Sequence, residues 1–106
     1  MYCLTVTYPK GENTHFDLDY YRDKHIPLCE RLFTPHGFRG AVLRVNQGKG
    51  PGSADLNYAS VDLLFDSAEQ LQAALAAGGK EVTADIPNYT NVKAQMSFGE
   101  VSLLTK

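Results

Sequence analysis

The chain has 106 residues and a formal net charge of -2 at pH 7. Its length suits one domain, and its scattered Lys and Arg exclude a nucleic-acid surface, because phosphate binding relies on clustered basic side chains. No apolar run is long enough to cross a bilayer and the first residues lack a secretion signal, so we expect a cytoplasmic protein with no membrane or nucleic-acid partner.

The first strand is predicted over residues 2–8, where aromatic and β-branched side chains alternate with Cys and Thr. A turn over residues 9–13 ends it, and Asp17 then suits the N-cap of a helix. The apolar stripe of this helix repeats every three or four residues and contains Leu18, Tyr21, His25, Leu28 and Leu32. His25 is therefore an ionisable group on an otherwise mostly apolar helix face.

Pro27 lies inside this helical pattern, where it removes an N–H and disfavours helical angles at Ile26. The sequence predicts a kink or break there, with one helix ending near His25 and a second running from Pro27 to Phe33. Such a break would free the Asp23 carbonyl to accept a hydrogen bond from the His25 ring.

The middle of the chain has the pattern of two strands joined by a flexible loop. Residues 38–46 are rich in Val, Ala and Leu, and residues 58–65 have one apolar side and a more polar one. The connecting residues 48–55 are rich in glycine but lack the spacing of a phosphate-binding loop. These two strands are predicted to form a hairpin.

A second helix and a last strand complete the predicted elements. Ser67 and Gln70 have the spacing of a capping box, and Gly78-Gly79 is expected to end the helix. Residues 80–91 are predicted to be irregular, with at most a short helical turn, and residues 95–104 to form the last strand.

The order strand, helix, strand, strand, helix, strand predicts an α+β fold of the ferredoxin-like βαββαβ type, with an antiparallel four-stranded sheet in one domain over residues 1–106. Both helices cover the same face of such a sheet, so the other face needs a cover. A second copy of the chain would supply it, and the sequence predicts a homodimer.

Residues 16–28 resemble the signature of the EthD family, small proteins named for ethyl tert-butyl ether degradation. The matching residues are Phe16, Asp17, Asp19, Tyr20, Tyr21, His25, Pro27 and Leu28. Residues 65–67, Asp85 and residues 88–91 also resemble the family pattern, so the likeness spans nearly the whole chain. It implies a dimeric α/β barrel, in which two ferredoxin-like sheets pack face to face and each subunit keeps a cleft between its helices and its own sheet.

Within this cleft the resemblance points to His25, whose imidazole titrates near neutral pH and suits a general acid or base. Tyr21 and Asp85 complete the predicted catalytic set. The helical period favours Tyr21 over Tyr20 for the inward position, because Tyr21 shares the stripe of His25. The residues expected to contact substrate are Tyr20, Leu28, Phe65 and Tyr89.

Each predicted catalytic residue also has a purely structural interpretation. His25 would be a buried ring hydrogen-bonded to the backbone, Tyr21 a large core side chain, and Asp85 the cap of a turn. Cys3 and Cys29 lack metal-ligand and redox spacing and are interpreted as reduced, mostly buried thiols.

The superfamily that the resemblance implies includes cofactor-free monooxygenases, lactone isomerases, polyketide cyclases and haem-binding enzymes. We therefore expect a small apolar oxygenated ligand, such as an aromatic, quinol, lactone or polyketide-like molecule. No metal and no cofactor are predicted, although haem ligation by His25 stays open. A non-catalytic carrier or sensor of a hydrophobic ligand, or an accessory protein of an oxygenase system, is the alternative.

Overall fold

The computed structural model describes residues 1–105, which form a four-stranded antiparallel sheet with helices on one face. The strands are β1 (Tyr2–Pro9), β2 (Phe38–Val45), β3 (Asn57–Phe65) and β4 (Gln95–Glu100). Their order across the sheet is β2-β3-β1-β4. The predicted ferredoxin-like βαββαβ fold is confirmed, although β4 ends at Glu100 and is shorter than expected.

The register of the central strands decides which side chains enter the core. Leu4 in β1 lies opposite Leu63 in β3, and Val6 lies opposite Val61. Because side chains alternate between the two faces of a strand, these four residues share one face, and all four are buried in the core. This face is the floor on which the helices pack.

The first helical element is continuous and has three parts: α1 (Leu18–Tyr20), a π-helical turn (Tyr21–His25) and α2 (Ile26–Phe33). Asp17 caps its start, because the carboxylate accepts a hydrogen bond from the backbone N–H of Tyr20 at 3.0 Å. The N-cap expected from the sequence is therefore confirmed.

Pro27 does not break this helix, so the predicted kink or break is wrong. Ile26 keeps helical angles (φ -62°, ψ -43°), and its N–H bonds to the carbonyl of Tyr21, five residues back. In a regular α-helix the proline ring clashes with the carbonyl four residues back, whereas a π-helical turn spaces its hydrogen bonds one residue further. The wider turn lets the helix pass through the proline.

The second long helix, α3 (Ala68–Asp85), continues well beyond the glycine pair at which it was predicted to end. The expectation of an irregular segment from Lys80 is therefore wrong as far as Asp85, after which a 3-10 turn (Ile86–Asn88) follows. Ser67 caps its start by accepting a hydrogen bond from the Gln70 N–H at 3.2 Å, as its capping-box spacing predicts. The longer helix carries Asp85 back towards the first helix.

Three phenylalanine rings fill the core where the first helix ends, and we call them the phenylalanine cluster: Phe33, Phe38 and Phe65. Their ring centroids lie 5.4 to 6.2 Å apart. Gly37 makes the turn between them with φ 76°, a left-handed conformation that glycine adopts without strain. A Cβ at this position would also overlap the Gln70 side chain.

The sheet face opposite the helices has no covering element within residues 1–105. On this face Thr5 donates a hydrogen bond to Asp62 at 2.7 Å, and Val42, opposite Asp62 in the register, is 55% exposed. Beyond β4, Leu103 and Leu104 are 78% and 88% exposed. Separately, none of the described helices is both long enough and apolar enough to cross a membrane.

Candidate functional site

A cavity of about 270 Å³ lies between the sheet and the helices. Leu4, Val6, Val61 and Leu63 of the central strands form its floor. Side chains of the first helix and of α3 form its walls, and most of the lining is hydrocarbon. The cavity therefore suits an apolar molecule.

The two exposed lining residues are Thr83 in the C-terminal half of α3 and Met96 in the edge strand β4, so the mouth of the cavity lies between these elements. Gly79 and Val82 line one side of this mouth and are partly exposed. Ala94 and Met96 line the other side, and Met96 is 65% exposed. The first helix lines the deep end, where Tyr21 is only 1% exposed. A ligand that enters here would meet the first helix at the closed end.

The His25 ring lies at this deep end, and both of its nitrogens have partners. Nδ1 lies 2.9 Å from Oδ2 of Asp85, and Nε2 lies 3.3 Å from the hydroxyl of Tyr89. The π-helical turn supplies the histidine, and the last residue of α3 supplies the carboxylate. The predicted hydrogen bond from the His25 ring to the Asp23 carbonyl is wrong, because Nδ1 is bonded to Asp85 and Nε2 to Tyr89.

The charges of this pair follow from its surroundings. Burial lowers the pKa of the His25 ring, although Asp85 opposes the shift. Burial also raises the pKa of Asp85, but hydrogen bonds from Asn88, Tyr20 and His25 outweigh it and hold that pKa below its usual range. An ionised carboxylate only accepts, so Nδ1 carries the ring proton and Nε2 receives the Tyr89 O–H.

Asp85 is held in place by two further donors. The Tyr20 hydroxyl donates to Oδ1 at 2.7 Å, and the Asn88 amide donates to the same oxygen at 2.9 Å. Tyr20, expected to contact substrate, is not part of the cavity lining and supports the carboxylate from outside. The pKa of Tyr20 is raised chiefly because its hydroxyl proton is held in the hydrogen bond to Asp85, and also because ionisation would place a second negative charge beside that carboxylate.

Tyr89 connects His25 to Tyr8, a residue that the sequence did not single out. The two phenol oxygens lie 2.9 Å apart. Since Tyr89 donates its proton to Nε2, its oxygen accepts the proton of Tyr8. Tyr89 is fully buried and does not line the cavity, whereas Tyr8 does. In the sequence Tyr8 differs in no way from the other inward-facing residues of β1, so no signal could have identified it.

Tyr21 faces inward, as the helical period predicts, and lines the cavity beside His25. The two rings stack, with centroids 5.3 Å apart and an angle of 21° between their planes. Burial raises the pKa of the Tyr21 phenol, so it stays protonated. With Tyr8 and Tyr89, these rings make up what we call the tyrosine cluster: Tyr8, Tyr21, His25 and Tyr89.

The structure does not bring the remaining predicted contact residues to the cavity. Leu28 is half-buried outside the lining, and Phe65 lies in the phenylalanine cluster, fully buried. Cys29, next to Leu28, lines the cavity instead, and burial raises the pKa of its thiol to about 12. Within residues 1–105, no three His, Cys, Asp or Glu side chains group as a metal site would require.

Comparison with solved structures shows which known proteins share this fold. An EthD-like protein from Ralstonia eutropha is 28% identical to the chain and superimposes with a TM-score of 0.85, covering 98% of this chain and 94% of that one. The resemblance to the EthD family that the sequence predicts is confirmed by this similarity, which spans nearly the whole chain.

Two further structures share the fold of this chain at much lower identity. SnoaB, a cofactor-independent oxygenase from Streptomyces nogalater, is 10% identical with a TM-score of 0.63, covering 98% of this chain and 97% of that chain. A dimeric ferredoxin-like protein from an uncultured marine organism is 15% identical with a TM-score of 0.63, covering 99% and 97% of the two chains. No family model and no curated protein matches the sequence.

Proposed function

We propose that this EthD-like protein binds a small, apolar, oxygenated ring compound in the cavity and moves a proton to and from it through His25. One observation carries the proposal: an unbroken series of hydrogen bonds runs from Asp85 through His25 and Tyr89 to Tyr8, whose side chain lines the cavity. Proton transfer along such a series requires no bound cofactor.

The direction of each hydrogen bond fits a ligand that loses a proton. The Tyr8 oxygen accepts the ligand proton while the Tyr8 proton passes to Tyr89 and the Tyr89 proton passes to Nε2 of His25. The ligand becomes an anion and the ring becomes an imidazolium, which the Asp85 carboxylate stabilises at 2.9 Å from Nδ1. The reverse transfer returns the proton to the ligand.

The size of the cavity limits the ligand. An apolar protein cavity of roughly 150 Å³ admits benzene, whereas this cavity measures about 270 Å³. A compound of one or two rings fits, with its hydrocarbon body on the floor of the sheet and an oxygen towards Tyr8. Phenols, quinols, lactones and small polyketide-like rings meet this description.

The anion formed in this way has two chemical fates. It can take the proton back at a different atom, which is an isomerisation. Alternatively, a ring carbon of the anion can form a bond to dioxygen; the resulting peroxide takes back the proton, its O–O bond breaks, and water leaves so that a carbonyl group remains, which is an oxygenation. The fold shared with a cofactor-independent oxygenase supports the second fate. In both fates His25 acts as general base and then as general acid.

The test uses 1-naphthol for binding and 1,4-dihydroxynaphthalene with dioxygen for turnover. We expect His25→Gln to bind 1-naphthol nearly as well as the wild type but to lose turnover by about a hundredfold or more, because general acid–base catalysis contributes at least that much. His15→Gln, at an exposed position, is the control and keeps full activity. Turnover that survives in His25→Gln would refute the assignment.

A carrier or sensor that binds the same compounds without changing them is the second candidate, and the largely hydrocarbon lining of the cavity favours it. It predicts that the wild type and His25→Gln bind 1-naphthol equally and that neither protein converts the quinol. Mass spectrometry of the recovered ligand distinguishes the two functions.

We also propose that two copies associate through the sheet face opposite the helices. The exposed Val42 and the exposed Leu103 and Leu104 support this assembly, since burying apolar area drives association. The marine structure that shares the fold is dimeric. Sedimentation of the wild type should give twice the chain mass of 11.7 kDa, and Val42→Asp should weaken the association.

A further inference from the structure

We infer that Gly79 sets the width of the cavity mouth and thereby selects ligands by ring size. The inference rests on the ligand binding proposed above and adds a specificity-determining residue to it. It depends on a difference between two adjacent glycines of α3, Gly78 and Gly79. Both lie well inside the helix, where glycine is less stable than alanine.

Gly78 has a packing reason to be glycine. A Cβ on this residue would lie 2.9 Å from Cβ of Leu32 and 3.3 Å from Cε1 of Phe33. Atoms do not approach so closely without displacement, so the missing side chain lets α2 and α3 pack against each other. Gly78 is buried in this contact and does not line the cavity.

Gly79, in contrast, has no packing reason to be glycine. A Cβ on it would meet only Leu75, at 3.7 Å from Cβ and 3.9 Å from Cδ2, which is ordinary van der Waals contact. Its backbone is in the right-handed helical region, where alanine is favoured over glycine. Neither the helix nor its packing therefore requires glycine at this position.

The missing side chain at Gly79 leaves space in the cavity. Gly79 lines the mouth on the α3 side together with Val82, and the other side is lined by Met96 of β4 and by Ala94, the residue before this strand. Because Gly79 lines the cavity and a Cβ on it would meet only Leu75, which also lines the cavity, a methyl group there would take up space at the mouth, where the outer end of a longer ligand rests. A one-ring compound held at the deep end near Tyr8 would not reach it, whereas a two-ring compound would.

The test measures binding of phenol, with one ring, and 1-naphthol, with two, by calorimetry on the full chain, together with the melting temperature. Gly79→Ala should raise the melting temperature by about 4 °C, because alanine stabilises a helix interior. It should weaken 1-naphthol binding by about tenfold, as one misplaced methyl group does in an apolar pocket. Phenol binding should stay unchanged.

Gly78→Ala is the matched control, with the same substitution one residue earlier. It should lower the melting temperature, because Leu32 must move, and should leave the ratio of the two affinities unchanged. Gly79→Leu, with a larger side chain, narrows the mouth further. It should abolish 1-naphthol binding and affect phenol binding less.

Three results would overturn the inference: equal weakening of both ligands in Gly79→Ala, no weakening of either, or a lower melting temperature. If the wild type binds neither phenol nor 1-naphthol, the proposed function fails and the inference fails with it. If the wild type binds both and Gly79→Ala discriminates no better, only the role of Gly79 is wrong.

Discussion

The phenylalanine cluster and the tyrosine cluster pack against the same first helix, but only the tyrosine cluster contains polar side-chain atoms. Rings of the phenylalanine cluster lie 5.4 to 6.2 Å apart and carry no polar atoms. Neighbouring rings of the tyrosine cluster lie at similar distances, from 4.5 to 5.9 Å, yet hydrogen bonds join three of its members, and three of its members line the cavity, which the phenylalanine cluster meets only at Phe33. Aromatic packing alone therefore does not mark the site, whereas the partners of the polar ring atoms do.

The two clusters therefore have different roles in the protein. The phenylalanine cluster excludes water and holds the two helices on the sheet, so Phe38 and Phe65, which do not line the cavity, should matter for stability alone. The tyrosine cluster gives up some packing to keep polar groups beside a cavity. Substitutions there should change protonation and ligand binding as well as stability.

Phe65→Ala should have the largest effect. Phe65 is fully buried against Phe33 and Phe38, and removing a buried ring costs about 4 kcal/mol in the free energy of unfolding. Urea unfolding measures it, and Phe65→Leu, which keeps most of the volume, should cost only about 1 kcal/mol. A loss below about 1 kcal/mol for the alanine variant would mean that this cluster is not the close-packed end of the core.

Asp85→Asn should have the next largest effect, at the tyrosine cluster. The carboxylate accepts hydrogen bonds from His25, Tyr20 and Asn88, and an amide in its place satisfies these donors poorly, at a cost of about 2 kcal/mol. The ring proton of His25 should also lose its fixed position on Nδ1, which nitrogen NMR of the imidazole detects. Asp19→Asn, at an exposed position, should change neither quantity; an unchanged tautomer in Asp85→Asn would break the proposed series.

The pH dependence of stability should distinguish the clusters by a smaller effect. Burial lowers the pKa of folded His25 below its ordinary value of 6.5, so the unfolded chain binds that proton more readily. Stability from this group is complete above about pH 6.5 and falls as the pH drops through the lowered pKa of the folded state. The lowered pKa of Asp85 adds a second loss, below its ordinary value of 3.8.

Unfolding by urea at a series of pH values measures this dependence. In His25→Gln the first loss should disappear and the second should remain, although weakened, because Asp85 has lost one donor. Phe65→Leu should keep the pH profile of the wild type with a lower plateau. An unchanged first loss in His25→Gln would place its origin in another group.

Arg22→Ala should have the smallest effect. The guanidinium lies 3.2 Å from Asp19 on the outer side of the first helix, with both side chains more than half exposed. Such surface pairs contribute less than about 1 kcal/mol, and salt screens them. A change beyond about 1 kcal/mol in urea unfolding would show that the outer side of this helix also supports the tyrosine cluster.

Most of the fold could be predicted from the sequence because its signals are local. Alternation in β1 and β3 marked the strands, and side-chain caps at Asp17 and Ser67 marked both helix starts. The extent of α3 could not be predicted in this way, because a glycine pair destabilises a helix locally while packing against α2 stabilises it. The predicted break at Pro27 was wrong because a single π-helical turn accommodates a proline that a regular α-helix does not.

The candidate site was less accessible to sequence reasoning because its hydrogen bonds join distant parts of the chain. His25 could be identified from its place on an apolar stripe, but its partners Asp85 and Tyr89 lie 60 and 64 residues away. The resemblance to the EthD signature suggested both residues without showing that they contact the histidine. Tyr8 had neither kind of signal, because a strand residue that faces a cavity looks the same as one that faces the core.

The π-helical turn over Tyr21–His25 also means that the first helix contains one residue more than a regular helix of the same height. Arg22, Asp23 and Lys24 within it are exposed and do not line the cavity. Deleting one of them would remove the extra residue and restore regular α-helical spacing, in which the Pro27 ring clashes with the carbonyl four residues back. The side chains of the candidate site would be unchanged while the helix that carries them was kinked, so the length of this turn belongs to the site as much as any side chain does.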